Sequence, residues 1–362
     1  MNRTATVVWV TDFSGWGGGE QTSVECLCAL AARGWRVELW TPPGVLRDQA
    51  EGAGLRVREI LSTRSTALNR AFTEVDPALL HLVSYGPLTQ AVSSLAHQKQ
   101  LPFVLTISAS GFPGGFRSRR FVRRAAGVVA PSRSVAKDIR QRSGVTKVEI
   151  LLPIPDSYLS KNVKRQPFAE DQDNGAVVGW VGRLDPVKRL GDALAAFSKF
   201  HAAVPFAELR VACGQSNYDT QSTSDYVKRL AHLMQCPGMA DAITFHADLD
   251  DVFGFLEGID IFLSSSSRET FSRTLFEAML MERPIVTTRA GGMTDLITDA
   301  VHGLLVDVGD VQGLADGLLA LSKDRQWAVQ LGMTARQQAL AIAADHSPIE
   351  QLEHMYRTVV NS

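Results

Sequence analysis

Short apolar runs recur along the whole chain, and each is followed by a stretch whose apolar residues fall at helical spacing. In the first half Thr6–Val10, Arg36–Trp40, Leu79–Val83, Phe103–Ile107, Gly127–Ala130 and Val148–Leu152 read as strands. In the second half Ala176–Val181, Glu208–Cys213, Ile243–His246, Ile259–Leu263, Pro284–Thr288 and Gly303–Val306 do the same. Strands that alternate with helices in this way predict parallel sheets covered by helices. At 362 residues the chain exceeds the usual limit of one core, so two such domains are expected. Polar residues cluster with Pro155 and Pro167 between Pro153 and Gly175, which marks the linker. In open sheets of this kind ligands sit beyond the carboxyl ends of the strands, so facing domains would place the active site in the cleft between them.

Composition narrows the function by exclusion. Net charge is −1, so nothing global points to nucleic acid or to anionic substrates. Cys26, Cys28, Cys213 and Cys236 have neither metal-ligand spacing nor a disulfide pattern, which suits reduced thiols in a cytoplasmic protein. No apolar stretch reaches the length of a membrane span. The N-terminal segment meets a charge too early for a secretory signal and reads as the first strand.

Two acids carry the chemistry. Glu269 follows the apolar run Ile259–Leu263, while Leu275 with Met279 and Phe276 with Leu280 mark a helix that contains Glu277 off its apolar stripe. The free N–H groups that open such a helix bind anions, so one carboxylate would stand on each side of a phosphate site. That arrangement suits a sugar joined to a nucleoside through a diphosphate. Upstream, Trp180-Val-Gly-Arg-Leu-Asp-Pro-Val-Lys-Arg189 follows another strand, with Asp185 as helix cap and Pro186 as the first helical residue. Lys188 is then expected in the first helical turn, opposed to the helix dipole, a conflict that a bound anion relieves. Arg183 can present its planar fork to a phosphate. The alternative is a surface network in which Asp185 and Asp192 neutralise these cations.

Glu269-Thr-Phe-Ser-Arg-Thr-Leu-Phe-Glu277 resembles the donor-binding segment of the retaining glycosyltransferases of family 4, which have the GT-B architecture. Arg283-Pro-Ile-Val-Thr-Thr-Arg-Ala-Gly-Gly-Met-Thr-Asp295 and Gly303-Leu-Leu-Val-Asp-Val-Gly-Asp310 resemble the next two blocks, in order. The match runs from about Ala176 to Leu321. The resemblance implies a GT-B fold of two Rossmann-like domains: 1–155 binding the acceptor and 176–345 the donor, joined by linker 156–175. The final segment, 346–362, would open at a capping box from Ser347 to Glu350 and pack back on the N-terminal domain.

The resemblance also implies roles. Arg183 and Lys188 would bind the donor diphosphate, and Glu269 the hydroxyls of the donor sugar, making these three the catalytic set. Glu277 would hold the ribose, and the amides from Phe271 through Ser272, Arg273 and Thr274 to Leu275 the distal phosphate. Gly17, Gly18 and Glu20 match a glycine-rich loop that closes over the donor. A dinucleotide fingerprint would need glycine at position 20, where Glu20 stands. Thr270 and Ser272 replace glycines usual in the family, which implies a tighter, more polar sugar pocket. Ser108 stands where the family has a histidine, with Ser110 beyond it. His81, at the end of the preceding strand, is either a substitute or a packed core residue.

Arg117-Ser-Arg-Arg-Phe-Val-Arg-Arg124 reads either as a solvated helix face or as a peripheral contact with the inner face of a membrane. Asp248-Leu-Asp250 reads as a helix cap rather than a metal site. The expected function is transfer of a sugar from a nucleoside diphosphate to a saccharide, lipid-linked or small-molecule hydroxyl acceptor, with retention, without cofactor or metal. A nucleotide-sugar epimerase or hydrolase, and a silent nucleotide-sugar-binding protein, remain the alternatives.

Overall fold

The computed structural model describes residues 5–108, 113–154, 158, 161–168, 175–214, 228, 230, 241–247, 251–344 and 348–361. It divides into two compact units, Met1–Pro155 with His346–Ser362, and Asp156–Asp345. Asp248–Asp250, Ser110, Cys236 and Ser347 lie outside the described residues.

In the first unit strands and helices alternate: β1 (Thr6–Thr11), α1 (Gly18–Ala32), β2 (Arg36–Thr41), α2 (Val45–Gly52), β3 (Arg56–Glu59), α3 (Ser65–Val75) and β4 (Leu79–Val83). They continue as α4 (Pro87–Gln98), β5 (Phe103–Thr106), α5 (Phe116–Arg123), β6 (Gly127–Ala130), α6 (Arg133–Ser143) and β7 (Glu149–Ile150). All pairings are parallel, in the order β3-β2-β1-β4-β5-β6-β7. The pleat divides each strand between two cores. Val8, Val10, Leu80, Leu82 and Leu105 face α3, α4, α5 and α6, while Val7, Trp9, Leu79 and Val104 face α1, α2 and the C-terminal helix.

The second unit contains β8 (Val177–Arg183), α7 (Leu190–Ala203), β9 (Glu208–Gly214), β10 (Ile243–Ala247), α8 (Val252–Glu257), β11 (Ile261–Ser264) and α9 (Arg273–Leu280). Then follow β12 (Ile285–Thr288), α10 (Met293–Leu296), β13 (Leu304–Val306), α11 (Val311–Lys323) and α12 (Arg325–Ala344). Its sheet is parallel in the order β10-β9-β8-β11-β12-β13. These are two Rossmann-like parallel sheets, as the alternation predicts.

Strand ends shift from the expected positions by a residue or two, and one strand is absent from the expectations. β3, Arg-Val-Arg-Glu, is too charged to read as a buried strand, and it lies at the sheet edge, where charge is tolerated. Asp251 caps α8: its carboxylate accepts from the Gly254 amide at 3.0 Å. Residues 161–168, expected as linker, are bound into the second unit. The buried Asp260 carboxylate accepts from the Phe168 amide at 2.8 Å and the Val177 amide at 2.9 Å, and pairs with Arg165 at 3.1 Å. Fully buried Arg283 donates to the carbonyls of Met281, Ile259 and Arg165. Burial lowers its pKa to about 10, so it remains a cation at neutral pH.

The last helix, α13 (Pro348–Val360), completes the first unit. Leu352 and Tyr356 are fully buried there, and Glu353 accepts from Trp35 Nε1 at 2.7 Å and Arg33 Nη1 at 3.0 Å. Among the described residues no helix is long and apolar enough to cross a membrane.

Candidate functional site

In each sheet the chain reverses its direction of winding at one place, between β1 and β4 in the first and between β8 and β11 in the second. Helices that leave opposite faces at such a point open a crevice at the strand carboxyl ends. The residues singled out from sequence in the second unit gather at its switch point.

Arg183 ends β8, and Asp185 caps the turn beyond it, its carboxylate accepting from the Val187 amide at 3.0 Å. The expected α-helical start is instead a 3-10 turn, Pro186–Lys188, closed by Arg189 in the left-handed region at φ 50°. Lys188 therefore lies ahead of α7 rather than within its first turn. Its Nζ donates to Glu269 Oε1 at 2.6 Å, and Ser266 Oγ donates to the same oxygen at 2.8 Å. The ammonium side chain is 21% exposed and the carboxylate 10%, so the pair is largely removed from water. Sequence reading placed both residues at the site but did not pair them. Arg183 lies 3.7 Å from Asp185, whereas Asp192 pairs with Arg189 at 2.6 Å and does not belong to this group.

Ser265, Ser266 and Ser267 fix this geometry. Ser265 Oγ donates toward the carbonyls of Lys188 and Arg189, at 3.0 and 2.9 Å, and accepts from Trp180 Nε1. Ser267 binds the Val187 carbonyl through both its amide and its hydroxyl, at 2.8 and 3.0 Å. The β11 loop is thus sewn to the β8 turn, and a serine run that reads as featureless loop positions Lys188.

Ser272 is the N-cap of α9, with Oγ accepting from the Leu275 amide at 3.3 Å. One of the amides expected at a phosphate is therefore already capped. Phe271, Arg273 and Leu275 are buried and Thr274 is partly exposed. Behind this turn a Cβ at Gly291 or Gly292 would strike the carbonyl oxygens of Glu269 and Thr270, so glycine there lets two loops touch.

Glu277 is 4% exposed, in the second turn of α9. Its Oε1 accepts from the Tyr158 hydroxyl at 2.5 Å, and Arg273, one turn earlier, donates to the same phenol oxygen. Tyr158 is 8% exposed, packed edge-on against Phe253 with centroids 5.1 Å apart. Burial, and next the neighbouring Glu277, push its pKa well above the ordinary phenol value. It is a protonated donor at any physiological pH. A lone tyrosine in a polar stretch carries no sequence signal.

In the first unit Gly17 is the N-cap of α1, and Gly18 and Glu20 form its first turn, so the glycine-rich segment is partly helical. Asp12, not singled out from sequence, caps α4 by accepting from the Leu88 amide at 2.6 Å and the Thr89 hydroxyl at 2.6 Å. Ser108 is partly buried just beyond β5. Of the two readings of His81, the structure has the packed core residue, 1% exposed. Tyr356 accepts from Trp9 Nε1 at 2.9 Å, its hydroxyl is hydrogen-bonded to His81 Nδ1, and His81 Nε2 is hydrogen-bonded to Thr106 Oγ1 at 2.6 Å. Burial lowers the histidine pKa to about 3, leaving it neutral.

The basic run forms α5, with Arg117, Arg119, Arg120 and Arg123 exposed and Phe116 80% exposed. Arg119 Nε donates to the Arg142 carbonyl at 2.8 Å, which joins α5 to the end of α6. On α6 Arg133, Lys137, Arg140 and Arg142 are exposed as well.

Both units resemble known proteins. Residues 175–324 match the family model described as glycosyl transferases group 1, and residues 16–153 the model described as glycosyltransferase family 4. N-acetyl-alpha-D-glucosaminyl L-malate synthase of Bacillus anthracis is 30% identical over 180 residues, 50% of this chain and 45% of that protein. D-inositol 3-phosphate glycosyltransferase of Corynebacterium urealyticum is 28% identical over 186 residues, 51% and 43% of the two chains. The chain spans about half the length of these curated relatives. Among solved structures, Anabaena HepE in complex with UDP-glucose superposes with a TM-score of 0.80 at 18% identity, covering 99% of this chain and 100% of that one. Sucrose-phosphate synthase from Thermosynechococcus elongatus gives 0.77 at 18% identity, covering 98% of each.

Proposed function

We propose, from the premise that this chain belongs to the GT-B glycosyltransferases of the group 1 and family 4 type, that it moves a sugar from a nucleoside diphosphate to a hydroxyl acceptor with retention of configuration. The observation that carries the proposal is the Lys188–Glu269 pair at the switch point of the second unit, beside the N-terminus of α9. A diphosphate competes with Glu269 for the ammonium, and sugar hydroxyls compete with the ammonium for the carboxylate. One bound donor would satisfy both charges at once.

The chemistry requires departure of a diphosphate, and preorganised positive charge acts most strongly where leaving-group charge develops. Arg183, Lys188 and the open end of α9 supply that charge, so the reading calls on no metal or cofactor. Glu269 holds the donor sugar and Glu277 the ribose. A leaving phosphate oxygen takes the acceptor proton on the same face, which requires no imidazole where Ser108 stands. HepE and TarM structures bind UDP, which makes uridine nucleotides the first donors to test. The acceptor class remains a saccharide, lipid-linked or small-molecule hydroxyl. The setting we assign is cytoplasmic, consistent with free Cys26, Cys28 and Cys213, with a peripheral membrane contact through Arg117–Arg124.

Release of nucleoside diphosphate from UDP-sugars, with and without candidate acceptors, tests the proposal. Acceptor-dependent release is the expected result. Acceptor-independent conversion would indicate an epimerase or hydrolase, and binding without turnover a silent protein.

A further inference from the structure

Tyr158 belongs to none of the matched motifs, yet it is bonded to the acid assigned to the ribose. A carboxylate on a helix turns freely about its side-chain bonds unless something fixes its plane. Here the Tyr158 hydroxyl holds Oε1 of Glu277 at 2.5 Å, and Arg273 holds the phenol oxygen from one turn back on α9. The tyrosine is itself immobilised. Its ring is nine-tenths buried, stands edge-on to Phe253 of α8, and has the Arg273 guanidinium 5.4 Å from its centroid. The phenol hydroxyl thus gives the acid a fixed donor on Oε1, which sets the plane in which the carboxylate can accept from ligand hydroxyls.

We infer that Tyr158 is a positioning residue that sets Glu277 toward the ribose hydroxyls of a nucleoside diphosphate and so makes this site discriminate ribose from deoxyribose. The inference rests on the assignment of Glu277 to the ribose. It gives Tyr158 a role that a purely structural residue would not have. Loss of its hydroxyl should lower affinity only for ligands that carry the ribose hydroxyls.

The test uses the full chain and calorimetric titration with UDP, GDP and ADP, then the 2′-deoxy and 3′-deoxy forms of the best binder. Wild type should prefer the ribonucleotide to one of its deoxy forms by about tenfold, as expected for one hydrogen bond to a charged group. Tyr158→Phe should shrink that ratio at least threefold with deoxynucleotide affinity unchanged, and Glu277→Gln should abolish it. An unchanged ratio in Tyr158→Phe, or an equal loss for both ligands, overturns the inference while the ribose assignment stands. A gain in ribonucleotide affinity also overturns it, because the phenol would then be an occupant of the ribose position. No discrimination in the wild type overturns the ribose assignment and this inference together. Should Tyr158→Phe fail to fold, Arg273→Gln removes the donor to the same phenol oxygen, and the same ratio is read.

Discussion

At Lys188 and Glu269 each charge is the other's partner until a ligand arrives, and this sets the sign of the mutational effects. Lys188→Ala removes a charge-assisted contact to the diphosphate, a loss of about 1.5–3 kcal/mol, or roughly one to two orders of magnitude in affinity. Glu269→Gln should behave oppositely toward bare nucleoside diphosphate. The ammonium no longer has to leave a carboxylate, so affinity should hold or rise, while turnover of the full donor falls. Calorimetry with the diphosphate and its sugar conjugate checks both, and a large loss of diphosphate affinity in Glu269→Gln would show that the acid contacts the phosphate end. Ser108→Ala, where the proposed chemistry needs no general base, should cost about 0.5–1.5 kcal/mol, a two- to tenfold drop in turnover. A positioned acid or base contributes about 10²–10⁴-fold instead, so a loss of that size would contradict the proposed proton route.

Elements show which parts of the site were legible. The β8 turn and the β11–α9 segment announce themselves through Arg183, Lys188, Glu269 and Glu277, because apolar strands and a helical stripe flank them. The sewing between these segments was not legible. Hydrogen bonds from Ser265 and Ser267 to the carbonyls of Val187, Lys188 and Arg189 join loops far apart in sequence, and serine at a loop carries no partner in its spacing. Tyr158 and β3 escaped for the same reason, since tertiary contact and not local pattern defines them. The helices α5 and α6 follow their charge pattern and share a face linked by Arg119. An anionic surface adds about 1 kcal/mol per basic residue that reaches it. Reversing Arg120 and Arg123 to glutamate should therefore weaken binding to phosphatidylserine or phosphatidylglycerol vesicles by at least tenfold in low salt, measured by co-sedimentation. If the wild type sediments equally with neutral phosphatidylcholine vesicles, the charge is not what binds.

For the whole molecule, parallel sheets covered by helices were readable because each parallel strand requires a crossover helix, whereas the strand order was not. His81 shows where that logic stops: the strand was legible, but its partner Tyr356 lies at the other end of the chain, on α13. Closure of the first unit by that helix leaves a neutral histidine bonded to Tyr356 and Thr106 and packed against the Trp9 ring. Its folded pKa, about 3, lies below the unfolded value of 6.5. Between these values the unfolded chain binds the proton and the folded chain does not. His81 therefore does not oppose folding above about pH 6.5, and stability is lost as pH falls through the window beneath, by up to about 1.4 kcal/mol per pH unit. His302, its pKa also lowered by burial, adds a loss in the same direction from the second unit. Burial raises the pKa of Glu353, but the bonds from Trp35 and Arg33 and the charges of Arg33 and Arg357 together hold it below the ordinary value, so its stabilising contribution is present at neutral pH and is lost only as pH falls below the ordinary carboxylate range. Amide exchange of β1 and β4 isolates the histidine. Moving from pH 7.5 to 5.5, corrected for intrinsic exchange rates, should lower wild-type protection there by about 1.4 kcal/mol. His81→Gln, which keeps a polar group but cannot titrate, should start less stable and lose that pH dependence. An equal decline in both proteins would assign the acid sensitivity of the first unit to groups other than His81.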